Sequence, residues 1–226
     1  MKILCIADHV DPIVYSNAIK ERFKCVSLVL SAGDLPMDYL GFVVSSLNKP
    51  LYFVFGNHNL KYLGVFNKRF DKGLLTNSLR NTTFGSIYVG FNMKYDKKND
   101  LIIMGLGGCK KYNKAENQHT ELQMYLSMIR MIPRLVFNKI FRGRYLDILL
   151  THAAPRGIHD KEDPCHVGFK SFLWFMRKFK PKYLLHGHIH LYNKNEKKIT
   201  DYHNTRVINV YDHYVLDFNR EDSFGQ

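Results

Sequence analysis

An α/β fold (α+β by some schemes) is predicted for this chain by three observations. Through residue 58 it reads strand, helix, strand, helix, strand, an alternation that implies parallel strands joined by crossover helices. Four apolar, β-rich runs each end directly in a short polar cluster, and strand ends are where a sheet presents side chains to a ligand. Finally, 226 residues with 46% hydrophobic content can fill one substantial core, so 1–226 is expected to form a single domain.

The elements follow in order. Residues 2–7 form a strand, about 13–23 a helix, and 26–31 a strand. A helix over about 37–47 opens at Pro36, whose fixed φ suits a helix start, and 51–55 is the third strand. The Asn- and Lys-rich stretch 59–81 reads as a loop with a helical turn over the active face. Residues 82–92 and 101–106 alternate like strands around a hairpin tip at 94–100. From 116 to about 141 apolar residues recur at helical spacing, with Pro133 kinking or dividing the helix; Met124, Met128 and Met131 are expected to pack in the core. A strand at 146–150, a loop through Cys165, a helix at about 168–179 and a strand at 183–187 follow. Strands near 206–210 and 213–218 should finish a second sheet.

A formal charge of +13 and a pI near 9.5 are read first as a solvated Lys-rich surface, and they make nucleic acid an admissible partner. Cys5, Cys25, Cys109 and Cys165 form no CxxC pair, and Cys5 and Cys25 are expected as buried reduced thiols, which favours a cytoplasmic location. Met1-Lys2 leads straight into the first strand, so no signal peptide is expected. No apolar run approaches the roughly 18 residues of a membrane span, so no membrane partner is expected.

Five polar clusters occur in one order: Asp8, Gly33-Asp34, Gly56-Asn57-His58, Thr151-His152 and His186-Gly187-His188-Ile189-His190. Carboxylates, an amide oxygen and imidazoles form the mixed O/N set that suits borderline transition metals, and there are enough for two ions. In order and spacing these residues resemble the calcineurin-like metallophosphoesterase superfamily, whose pattern is D-x-H, GD, GNH[DE], GH or TH, and GHxH. Thr151 to Gly157, His166-Val167-Gly168 and Lys180-Pro181-Lys182 further resemble the branch of MPPED-type metallophosphodiesterases and their bacterial relatives.

The resemblance implies a four-layer αββα sandwich of two mixed sheets flanked by helices, with a metal site at the strand C-terminal ends. It implies two divalent ions, Mn²⁺ first and Fe, Zn or Ni as alternatives. One would be held by Asp34, Asn57, His152 and His188, the other by Asp8, the bridging Asp34 and His190. The family's His at the first motif is Val10 here, which weakens that site and leaves water, Asp11 or His9 to fill the position. The pair of ions would acidify a bridging water for in-line attack on the ester. His58 would be the catalytic residue, serving the leaving-group oxygen. Its orienting carboxylate in several relatives corresponds to Met37, with Asp38 one position off, and Asn59 stands where an acidic residue is usual.

Arg156 and His166 are the candidate substrate contacts, while His186 reads as structural. The expected substrate is a small phosphodiester, cyclic-nucleotide or nucleotide-like, cleaved by a metal-bound hydroxide. A nuclease, a phosphomonoesterase and a non-catalytic interaction protein of the same fold are the alternatives. The oligomeric state is left open.

Overall fold

In the computed structural model, which describes residues 1–66, 84–193, 196–222 and 224, two large sheets lie between helices. The first sheet is ordered β13-β1-β2-β3-β4. β1 (Lys2–Ala7), β2 (Val26–Ser31), β3 (Leu51–Phe53) and β4 (Ile87–Tyr88) are parallel, and β13 (Asp212–Asp217) is antiparallel beside β1. The second is ordered β11-β12-β10-β9-β6-β5. β6 (Leu101–Leu106), β9 (Ile148–Thr151), β10 (Tyr183–His186) and β12 (Thr205–Asn209) run parallel between the antiparallel edges β5 (Asn92–Asp96) and β11 (Ile199–Tyr202). A two-stranded ribbon pairs β7 (Cys109–Lys110) with β8 (Gln118–His119).

Alternation along the strands divides the core into the layers expected of an αββα sandwich. Ile3, Cys5 and Ala7 face Leu150, Leu185 and Ile208 between the sheets, whereas Leu4 and Ile6 turn outward onto α1 (Ile19–Arg22) and α2 (Met37–Leu47). On the far side Met104, Leu149 and Leu184 pack under α4 (Glu121–Ile129), α5 (Ile132–Arg142) and α6 (Lys170–Phe179). Strands covered on both faces are apolar throughout, which is why β1 and β6 read as continuous hydrophobic runs.

Several expectations are corrected. The helix expected over 13–23 shrinks to four residues, because Asp11 and Pro12 begin a series of turns: the Asp11 carboxylate accepts from Ile13 N at 2.7 Å and its carbonyl from Tyr15 N at 2.8 Å. β5 runs through Lys94 and Asp96, shortening the hairpin tip to 97–100. The segment 116–141 divides at Arg130-Met131, with Pro133 in the first turn of α5, where its missing N–H costs no bond. α4 starts at a capping box in which Thr120 Oγ1 accepts from Gln123 N.

The last strand does not finish the second sheet; β12 does, while β13 crosses to pair with β1. Cys5 is buried but Cys25 is exposed, since the chain is still turning there before β2 begins. Met124 and Met128 are core residues and Met131 packs beside them. Leu60–Tyr62 make a 3₁₀ turn and Leu63–Phe66 (α3) one helical turn, while 67–83 lie outside the described residues, as does the start of the expected strand 82–92. Among the described residues no helix is long and apolar enough to cross a membrane.

Candidate metal centre

The polar clusters meet at one end of the two sheets, just past β1, β2, β3, β9 and β10. The backbone there is unusual. Asp8 (φ 66°) and His188 (φ 66°) each sit at the centre of a γ-turn, closed by His9 N to Ala7 O at 2.7 Å and by Ile189 N to Gly187 O at 2.8 Å. Positive-φ γ-turns are rare and strained, and strain of this kind gathers at functional sites. The two turns abut: His188 N donates to both oxygens of Asp8 at 2.9 Å, tying the first sheet to the second. Gly187 permits the approach, because a Cβ there would lie 2.4 Å from Asp8 Oδ2.

Asp34 follows Gly33 (φ 106°) and is itself left-handed (φ 58°). Its Oδ1 accepts from His58 N at 2.7 Å, and Asn59 Nδ2 donates to its carbonyl at 2.9 Å. Thus Asn59, at a position where the resembled pattern has an acid, secures the Asp34 backbone. The fully buried His152 brings Nε2 to 3.3 Å from Asp34 Oδ2 and 3.1 Å from Asn57 Oδ1, while its Nδ1 faces the Ala32 carbonyl at 2.8 Å. His188 Nε2 faces the Cys165 carbonyl at 2.7 Å. With one ring nitrogen of each imidazole bonded to a carbonyl, Nε2 of His152 and Nδ1 of His188 are the atoms left for a cation.

The electrostatics point the same way. Burial, reinforced by the charge of Asp34, pushes the Asp8 carboxyl up to about 7. Burial also acts to raise Asp34, but the His152 imidazole and the His58 N–H outweigh it and hold the group at about 2. The same carboxylates overcome burial at His152 and raise it to about 9, whereas burial and the neighbouring His152 lower His188 to about 3. Two buried carboxylates beside a neutral imidazole, with donor atoms of Asp34, His152 and His188 all within 4.8 Å of one another, fit a divalent cation.

The remaining candidates are placed as follows. His190 is partly exposed, lies outside that tight group, meets the Tyr192 hydroxyl at 3.0 Å and stacks on Tyr211. Val10 packs against the apolar cluster under α1 and α2. Both of its stand-ins are engaged elsewhere: His9 Nδ1 is 2.8 Å from Asp212, although the chain does leave β geometry after Ala7, and Asp11 pairs with His213. His58 is exposed, and among the described residues no carboxylate bonds its ring. Met37 is buried in the core and Asp38 exposed on the first turn of α2. Arg156 is paired with Asp160 at 2.9 Å and Glu162 at 2.8 Å. His166 bonds Asp163 at 2.7 Å and lies against His188, with ring centroids 5.2 Å apart. The buried His186 hydrogen-bonds Gly187 O and His159, a structural role.

Two contributors were not visible in the sequence. Asn117, buried in the β7–β8 ribbon region, donates to the carbonyls of Phe55 and Gly56 at 3.2 and 2.6 Å and so fixes the turn that carries Asn57. The Cys165 carbonyl orients His188. Neither belongs to a motif, and only tertiary packing brings them to the site.

Known proteins give the same picture. One solved structure superposes with a TM-score of 0.61 over 93% of this chain and 90% of its own, at 13% identity. Another, TT1561 of Thermus thermophilus, does so with a TM-score of 0.58 over 93% and 89%, at 10% identity. Identities this low speak to the fold alone. No curated protein sequence matches the chain. The family model for calcineurin-like phosphoesterases matches residues 1–192, the span that contains every strand end carrying a donor described above, and the chain therefore belongs to the calcineurin-like phosphoesterase family.

Proposed function

We propose that this phosphoesterase hydrolyses a phosphodiester of cyclic-nucleotide or nucleotide-like type, using two divalent cations, Mn²⁺ first among them. Family membership supports metal-dependent hydrolysis of a phosphoric ester. The observation that carries the reading further is the convergence of Asp34, Asn57, His152 and His188, which would hold one cation, with Asp8 and His190 completing a second site around Asp34. When bound, the cations supply Lewis acidity to the phosphoryl oxygens and acidify the attacking water. Asp34 holds the His58 backbone, and the exposed His58 ring is free to pass a proton to the leaving oxygen.

A diester is favoured over a monoester by charge. A monoester dianion calls for a further cationic clamp, and the guanidinium of Arg156, the candidate substrate contact, is already paired with two carboxylates. Without an orienting carboxylate on its ring, His58 favours esters whose leaving group needs little protonation. Because a proton donor matters most where the leaving group is poor, His58→Ala should still lower turnover about 10²–10⁴-fold on such an ester, and much less on a chromogenic ester, with metal content unchanged. Equal losses on both would make His58 a substrate-positioning group, and loss of metal would make it structural.

A non-catalytic interaction protein is the second reading, motivated by Val10 and Asn59 in place of the family's usual residues. Purification with and without chelator, followed by Mn, Fe, Zn and Ni analysis and side-by-side assays of a chromogenic diester, a monoester and single-stranded DNA, separates it from the hydrolases. Retained metal with no turnover on any of them would favour the scaffold.

A further inference from the structure

Residues 122–146 contain no Asp or Glu but five basic residues, Arg130, Arg134, Lys139, Arg142 and Arg144. The same stretch is unusually apolar on its outside. Seven of the fourteen exposed large hydrophobic side chains among the described residues lie within 122–141. On α4 these are Leu122, Leu126 and Ile129, spaced i, i+4, i+7 on one stripe, while Met124 and Met128 face the core.

α5 carries the stronger signal. Leu135 and Asn138 are its buried residues, and the opposite side presents Val136 (42% exposed), Phe137 (50%), Ile140 (70%) and Phe141 (68%). At 100° per residue these four span one face, flanked by Arg134 on one side and Lys139 on the other. The helix is amphipathic with its larger apolar face turned to water. A solvated surface helix would be polar there.

Beside this face lies an open cleft of about 330 Å³ whose rim includes Lys94, Tyr95, Arg134, Phe137, Asn138 and Arg142. Arg142 stacks over Tyr95 at 4.3 Å and bonds Asn138 Oδ1 at 2.8 Å, which holds its guanidinium at the cleft. Among the described residues no carboxylate pairs with Arg134, Lys139 or Arg142; of the five cations only Arg144 is so neutralised, by Asp100 and Asp147.

We propose that α5 is a docking face for an anionic phospholipid bilayer, with Phe137, Ile140 and Phe141 entering the interface and a headgroup phosphate seated in the Arg134–Arg142 cleft. Charge complementarity selects this occupant: cations with no carboxylate partner among the described residues flank an apolar face, the signature of an interfacial helix. Nucleic acid would use the cations but leave Val136 and Ile140 without a partner. The absence of a spanning segment, which led to the expectation of no membrane partner, does not bear on attachment at the surface.

The test uses the full-length chain and sedimentation with large unilamellar vesicles of phosphatidylcholine, with and without phosphatidylglycerol. The chain should bind the anionic vesicles, release with rising salt, and ignore the neutral ones. Phe137→Ser with Phe141→Ser, and separately Arg134→Gln with Arg142→Gln, should each weaken binding by on the order of tenfold. Melting temperature and turnover of a soluble chromogenic ester should stay at wild-type values. The proposal is overturned if anionic vesicles are not bound or if the Phe pair leaves binding unchanged. It is equally overturned if light scattering shows a wild-type dimer that the Phe pair makes monomeric, or if the Phe pair abolishes single-stranded DNA binding while vesicles are ignored.

Discussion

Gly56 leaves the donor cluster least room to vary. A Cβ there would lie 2.1 Å from Asp34 Oδ1 and 2.5 Å from His152 Cε1, so any side chain must displace two of the proposed ligands at once. Gly56→Ala should weaken Mn²⁺ binding by about tenfold or more. Its stability cost should stay near 1–3 kcal/mol, the range for local overpacking. Calorimetric metal titration beside a thermal melt checks both, and unchanged Mn²⁺ affinity would mean that Asp34 and His152 are not ligands. At this scale the site was largely legible, because Asp8, Asp34, Asn57, His152 and His188 follow apolar strands in a known order. What could not be read were the groups that orient them. Asn117 reaches Gly56 across 61 positions, and the strained turn at Asp8 depends on His188 N, 180 residues away.

The elements succeed or fail on local chemistry. Strands buried on both faces announced themselves as apolar runs, and α2 matched its expected span because Pro36 opens it and Asn48 (φ 50°) closes it in the left-handed region. α1 was over-read because apolar spacing persists through residues whose backbone is already committed to Asp11, itself anchored by His213 from β13. α6 has no side-chain N-cap of its own. Glu121 of α4 supplies it by accepting from Ser171 N at 2.6 Å, a contact invisible in either segment alone. Two helix ends make opposite predictions. Gly143 closes α5 at φ 74°, and a methyl added there would have nothing within 4 Å, so Gly143→Ala should cost about 1 kcal/mol from backbone conformation alone. Lys180 closes α6 at φ 49° with a side chain that disfavours that conformation, and Lys180→Gly should stabilise by about 0.5–1 kcal/mol. Denaturant melts of the two variants should move apart around wild type, and parallel shifts would refute the capping argument.

Across the whole molecule the donor set joins the two sheets, alongside their side-chain packing and the hydrogen bond from Gly108 N to Phe55 O at 2.8 Å. Asp8, Asp34 and Asn57 come from the first sheet, and His152 and His188 from the second. β13 returns the chain from the second sheet to the edge of the first, a crossing that an alternating strand pattern at the C-terminus cannot reveal, since strand periodicity carries no information about the partner. A cation bound between the sheets would also offset the burial, reinforced by the Asp34 charge, that pushes Asp8 up to about 7. Because the unfolded chain does not assemble these ligands, Mn²⁺ should stabilise by mass action, about 2.7 kcal/mol at a hundredfold excess over Kd. For a chain of this size that corresponds to a rise in Tm of roughly 5–10 °C. Chelator should reverse it, and Asp34→Asn should abolish most of it, because Asp34 belongs to both proposed sites. A chain whose melting is the same with Mn²⁺ and with chelator, or whose Asp34→Asn variant responds to Mn²⁺ as wild type does, would not be held together in this way, and the cation would have to bind outside the inter-sheet cluster.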